Sequence, residues 1–192
     1  TRDKAQPVAA TLPLPVLVAL AGVYLVYVFF PVTSNFTLTR KAQQAGRFLR
    51  EDLNKSPRER QIDRPYVYVQ KLVIEPLTQA ARDDPDNART AIHLANWYFH
   101  FWLMFPDQER FTRAVRWAQQ AYDLDPDSPE GYQAEYHLRL RFAQNLGEKA
   151  KKEKDPRKSV RFEDQSKEQY QMAADALLKY LDRAPRDAPL RY

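Results

Sequence analysis

The sequence predicts an all-α fold: one transmembrane helix followed by an array of about three helical hairpins. Three observations carry this. No charged residue occurs from Ala5 to Thr39, and within that stretch Leu12 to Val32 reads LPLPVLVALAGVYLVYVFFPV. Beyond it, apolar residues recur at helical three-four spacing. The breaks between those segments resemble one another, each pairing Asp or Asn with Pro. Composition agrees. Glycine numbers only 4 against plentiful Ala, Leu, Arg, Glu and Gln, which suits helices and disfavours glycine-rich phosphate loops. The expected organisation is an N-terminal flank at 1–11, a transmembrane helix at 12–32, and a helical domain at 33–192 with a charged insertion at 147–165.

The apolar run is long enough to be a span. A helix rises about 1.5 Å per residue, so about 20 residues cross a hydrocarbon core of about 30 Å. Pro13 and Pro15 fall in its first turn, where a missing N–H breaks no intrahelical bond, and Pro31 is expected to end it. Tyr24, Tyr27, Phe29 and Phe30 crowd its C-terminal half, the place for membrane-interface rings. A signal peptide has a shorter apolar core, usually about 7–15 residues, and no A-x-A site follows here. Arg2 and Lys4 precede the run, whereas Arg40, Lys41, Arg47 and Arg50 follow it closely. By the positive-inside rule this places the helical domain in the cytoplasm, with the opposite orientation left open. Asn35-Phe36-Thr37 and Asn54-Lys55-Ser56 fit the N-glycosylation triplet, a pattern too short to decide anything.

The remaining chain reads as helices near 36–52, 66–82, 88–104, 109–124, 129–146 and 166–183. Before Pro126, Phe111, Ala114, Val115, Ala118, Ala121 and Tyr122 form one apolar face, and its alanines let a neighbouring helix approach closely. Before Pro185, Tyr170, Ala173, Ala174, Leu177 and Leu181 repeat the arrangement. Residues 147–165, GEKAKKEKDPRKSVRFEDQ, carry mixed charge and almost nothing apolar, so this segment is expected to be solvated and mobile. Residues 54–65 form a second polar linker.

These hairpins resemble the tetratricopeptide repeat, a helix–turn–helix unit of about 34 residues. In the central unit Leu94, Ala95 and Tyr98 match the first-helix signature, and Ala114, Ala121 and Pro126 the second. In the last unit Tyr132, Ala173, Leu177 and Pro185 match. In the first, Val73, Leu77, Ala80 and Pro85 fit, while Pro76 interrupts the helix. Ala91 and Ala118 stand where larger residues belong, and the period is irregular, so the turns carry insertions.

Motifs for chemistry are missing. With no cysteine there is no disulfide, thiol nucleophile or cysteine metal site. His93 and His100 are two helical turns apart, about 10 Å along the axis and too far for one metal ion. No HExxH, GxSxG or phosphate loop occurs. The expectation is no catalytic residue, no metal and no cofactor. The net charge of +5 is spread among 30 basic and 25 acidic residues without a one-sided basic helix, which argues against nucleic acid.

Two sets of residues are candidates for partner binding. The resemblance places Asn96 on the inner groove of the repeat, with Arg89 and His93 near the same face; in peptide-binding repeats such polar residues contact the ligand backbone. The run 97–105, WYFHFWLMF, is apolar nearly all round, and Phe99, Phe101 and Leu103 are expected to lie off the hairpin core against a protein partner or the membrane surface. The leading expectation is a single-pass, membrane-anchored scaffold or assembly subunit that binds protein partners in a membrane complex, with the bilayer itself a partner and no enzymatic role. The alternative is the C-terminal part of a polytopic O-antigen ligase-like glycosyltransferase, whose layout of final membrane helix then repeats is similar and which the start at Thr1 would suit. Its repeats would lie outside the cytoplasm and its catalytic residues in upstream loops.

Overall fold

The structure is a computed structural model that describes residues 14–56 and 58–184. The flank at 1–11, the first two residues of the apolar run and Pro185 lie outside the described residues. Six helices follow in order: α1 (Leu14–Leu53), α2 (65–83), α3 (Ala88–Met104), α4 (Gln108–Leu124), α5 (Pro129–Lys152) and α6 (Pro156–Arg183). Among the described residues there is no strand. Each helix packs on the next, α1 on α2, α3 on α4 and α5 on α6 making three hairpins, and α3 also touches α5. The expected all-α hairpin array is thus observed.

Two expectations about proline are corrected. Pro31 does not end the apolar helix and Pro76 does not interrupt α2. In each case a wide turn precedes the proline: Leu25–Phe29 before Pro31 and Gln70–Ile74 before Pro76. Phe30 donates its N–H to Leu25 O, and Glu75 to Gln70 O. A proline inside an α-helix collides with the carbonyl four residues back. Shifting that turn to the five-residue register opens room for the ring, and the helix continues. The segment expected to begin a new helix at 36 is therefore the same helix as the apolar run.

A third correction concerns 147–165. The segment is helical apart from a three-residue turn at 153–155, and it forms the far end of the α5–α6 hairpin. Glu, Lys, Ala and Arg are good helix formers, and the sparse inward positions suffice to pair the two helices. Ala150 is buried, Phe162 packs on the core, and the Ser159 and Ser166 hydroxyls donate to Ala150 O (2.9 Å) and Ala143 O (2.8 Å). Its charges line the outer faces.

Helix starts follow the capping rules. The side chains of Asn87, Asp107, Ser128 and Asp155 accept from Thr90 N, Arg110 N, Glu130 N and Arg157 N. The core runs through Leu94, Trp97, Phe101, Trp102, Phe111, Leu138 and Phe142. Phe111 and Phe142 stack at 3.9 Å, joining α4 to α5. The polar stretch after α1 is tied down by Asp52, which is 1% exposed and accepts from Gln61 N and Ile62 N, both at 2.9 Å. This folds Ile62 back into the core.

Candidate functional site at the foot of the first helix

α1 changes character along its length. Residues 14–30 are all exposed, among them Tyr24, Tyr27, Phe29 and Phe30. From Asn35 onward one face is buried: Asn35, Ala42, Gly46, Leu49 and Asp52. Asn35 and Ala42 are two turns apart and the rest recur every three or four residues, with Gly46 against Trp97 of α3. A Cβ on Gly46 would overlap the Trp97 ring. Between the two regimes the Thr33 and Thr37 hydroxyls donate back to the carbonyls of Phe29 and Thr33, so neither is left unpaired beside apolar surface.

Where the buried face begins, a polar knot joins α1 to the second and third helices. Asn35 Nδ2 donates to Ala80 O (3.1 Å) and Thr90 Oγ1 (3.0 Å), and Thr90 Oγ1 donates to Asn35 Oδ1 (3.3 Å). Ser34 Oγ donates to Asp83 Oδ2 at 2.7 Å. Asn35 is 6% exposed and fully engaged, so the triplet beginning there is no glycan acceptor in this fold.

Beside the knot, α1 and the start of α3 enclose a groove of about 470 Å³. Val32, Phe36, Arg40 and Gln43 line one wall, and Asn87, Arg89 and His93 the other. Gln43 Nε2 lies 3.2 Å from His93 Nε2. Burial first, and the Arg89 guanidinium second, push the His93 imidazole below its ordinary pKa, with Glu130 opposing. The ring is therefore neutral at physiological pH, and its Nε2 can accept from the Gln43 amide. Asp84, also on the groove, accepts from Asn87 Nδ2 at 2.8 Å.

The structure thus brings Arg89 and His93 together but leaves Asn96 elsewhere on α3, exposed and outside this groove. Arg40 and Gln43 were not foreseen. Their signal was the spacing Val32, Phe36, Arg40, Gln43 on one helix face, which is readable only once the apolar helix is known to continue past Pro31.

The aromatic run 97–105 requires another correction. Phe101 is 1% exposed, lies 5.1 Å from the Tyr66 ring and 5.7 Å from that of Phe105, and is capped by the Arg110 guanidinium at 4.6 Å. It is core. Phe99 is half-buried and stacked on Trp102 at 6.1 Å, while Leu103 is 42% exposed. The first hairpin supplies the cover for Phe101 through Tyr66, a contact that no periodicity within the run reveals. Larger exposed apolar surface appears instead on α6, at Tyr170, Leu178 and Leu181. Tyr170 and Leu181 were expected to face inward, whereas the buried positions of that helix are Ser166, Ala173 and Ala176.

No family model, curated protein or solved structure matches this chain. Among the described residues, no group of three His, Asp or Glu side chains is placed to hold a metal ion.

Proposed function

We propose that this chain is a single-pass, membrane-anchored scaffold or assembly subunit, whose tetratricopeptide-like hairpins bind a protein partner within a membrane complex. The observation that carries the reading is the division of α1. Its first part is exposed and wholly apolar, and its second part is built into the domain core without an intervening linker. The stretch Leu14–Val32, 19 residues, rises about 28 Å, close to a hydrocarbon thickness. Exposing that surface to water would be costly at roughly 25 cal/mol per Å², so a bilayer is its natural surroundings. A cleavable leader would need an extended peptide after its apolar core, whereas here the helix is unbroken to Leu53. Arg40, Lys41, Arg47 and Arg50 favour a cytoplasmic domain.

The partner surface favoured is the outer face of α6, with Leu103 a lesser site. Tyr170, Leu178 and Leu181 form an apolar stripe on the last described helix, suited to a partner helix laid alongside. The test is photo-crosslinking in intact membranes. A crosslinker at Leu178 or Leu181 is expected to give a discrete protein adduct that survives carbonate washing, and one at exposed Lys151 is not. Release of the chain by carbonate would refute the anchor, and absence of any adduct from the α6 positions would refute the scaffold reading.

A further inference from the structure

The groove between α1 and α3 is graded along the axis of α1. Val32 and Phe36, 55% and 65% exposed, form its membrane-facing end. One turn further on, about 6 Å, is Arg40, followed by Gln43. Arg89 lines the opposite wall from the first turn of α3, springing from the level of Asn35 and Phe36, and the neutral His93 imidazole lies one turn on, beside Gln43. Neither arginine forms a salt bridge among the described residues. The carboxylate on the groove, Asp84, is engaged by Asn87.

With Val32 at the hydrocarbon edge, Arg40 falls about 12 Å beyond it along the helix, which takes it through the headgroup region, a layer of roughly 5–7 Å per leaflet, to its outer margin. A guanidinium there reaches back along its own side chain toward the phosphates. The groove therefore offers apolar contact from Val32 and Phe36 and one guanidinium on each wall, with the Gln43 amide and His93 imidazole further out. A glycerophospholipid presents the same order: acyl chain, glycerol, phosphate.

We propose that this groove is a binding site for the phosphate headgroup of an anionic glycerophospholipid, held by Arg40 and Arg89, with the top of an acyl chain against Val32 and the glycerol region against Phe36. The proposal rests on α1 being the membrane span. Arginine suits the task because its planar fork grips phosphate oxygens in pairs. The knot at Asn35 and Thr90 fixes the two walls relative to each other, so the backbones that carry Arg40 and Arg89 keep a set spacing across the groove. The lipid would also stop the anchor from rotating, setting the azimuth at which the hairpins face the membrane.

The full chain is reconstituted in vesicles of phosphatidylcholine alone and of phosphatidylcholine with a minority of phosphatidylglycerol. It is then extracted in mild detergent, and retained lipids are counted by native mass spectrometry. Phosphatidylglycerol is expected to be retained over phosphatidylcholine. The Arg40→Gln/Arg89→Gln variant should lower that retention by roughly tenfold or more. Lys41→Gln/Arg47→Gln, which neutralises two exposed cations outside the groove, should leave it nearly unchanged. Equal loss in both variants would mean diffuse attraction and overturn the site, as would displacement of the lipid by soluble glycerol phosphate at matched concentration, which would make a free phosphate ester the ligand. Flotation separates the two readings. A chain that fails to float with neutral vesicles overturns the anchor and the lipid site together. One that floats but shows no preference overturns the lipid site alone.

Discussion

Asn35 and Thr90, 55 positions apart, exchange two hydrogen bonds, at 3.0 and 3.3 Å, with both side chains buried. This pair locks the helix that leaves the apolar stretch onto the first turn of α3. Leu is close to Asn in shape, and Val to Thr. Asn35→Leu strands the Thr90 hydroxyl and should destabilise the domain by about 1–3 kcal/mol. Thr90→Val should cost about 1 kcal/mol, since Asn35 keeps its bond to Ala80 O. The double variant should cost clearly less than the sum, because it strands neither member of the pair, although the half-buried Thr39 hydroxyl loses its bond to Asn35 Oδ1 in both variants that lack Asn35. Denaturation of the full chain in detergent micelles measures all three; strict additivity would mean the two residues are not coupled.

Gly46 sets the distance between α1 and α3. A Cβ there would overlap Trp97 Cζ2 and Cη2 and come within 3.1 Å of Cε2. Trp97 is 6% exposed and lies under the Arg50 guanidinium, so its ring has little room to move. Alanine gains about 1 kcal/mol of helix propensity, while overpacking costs about 1–3 kcal/mol and here falls at the upper end. Gly46→Ala should therefore lower stability by roughly 2 kcal/mol. In a Trp97→Leu background the same change should be neutral or favourable, which thermal melts of the four proteins would reveal.

How much of this was legible follows from which residues carry local information. The apolar run, the Asp/Asn–Pro breaks and the first-helix positions Leu94, Ala95 and Tyr98 are set by periodicity and turn chemistry, and those three side chains are buried as those rules require. Pro31 and Pro76 misled because a wide turn removes their penalty, and that turn leaves no residue signature. The 147–165 segment misled because two helices that face only each other at a hairpin tip need few apolar residues. Phe101 misled because its cover, Tyr66, comes from another hairpin. Of the groove residues, the sequence singles out Arg89 and His93, but together with Asn96 on the inner face of a repeat, and it does not single out Arg40 and Gln43, since a helix that ends at Pro31 cannot carry one face from Val32 to Gln43.

Asp52 predicts an acid response. The Gln61 N–H, opposed by burial and assisted by the Ile62 N–H and Lys55, holds this carboxyl below its ordinary value of 3.8. A depressed folded value means the ionised form stabilises the fold above that ordinary value, and the contribution is lost as pH falls below it. Asp52→Asn should be less stable at neutral pH, because an amide cannot accept from both N–H groups with equal strength. The gap between the two proteins should close below about pH 4. Chemical denaturation midpoints taken from neutral to acid pH check this, and a gap that stays constant would remove Asp52 as its source.

The central claim is that one unbroken helix crosses the bilayer and then enters the domain core. The chain has no cysteine, so single cysteines can be placed one at a time along α1 without altering a background. The direct measurement is labelling of each by a membrane-impermeant maleimide in intact bilayers. Residues 16–30 should resist labelling, and reactivity should rise beyond Phe36. From there it should oscillate with helical period, high at Lys41 and Arg47 and low at Ala42 and Leu49. Uniformly rapid labelling across 16–30, or a flat profile beyond 36, would contradict it.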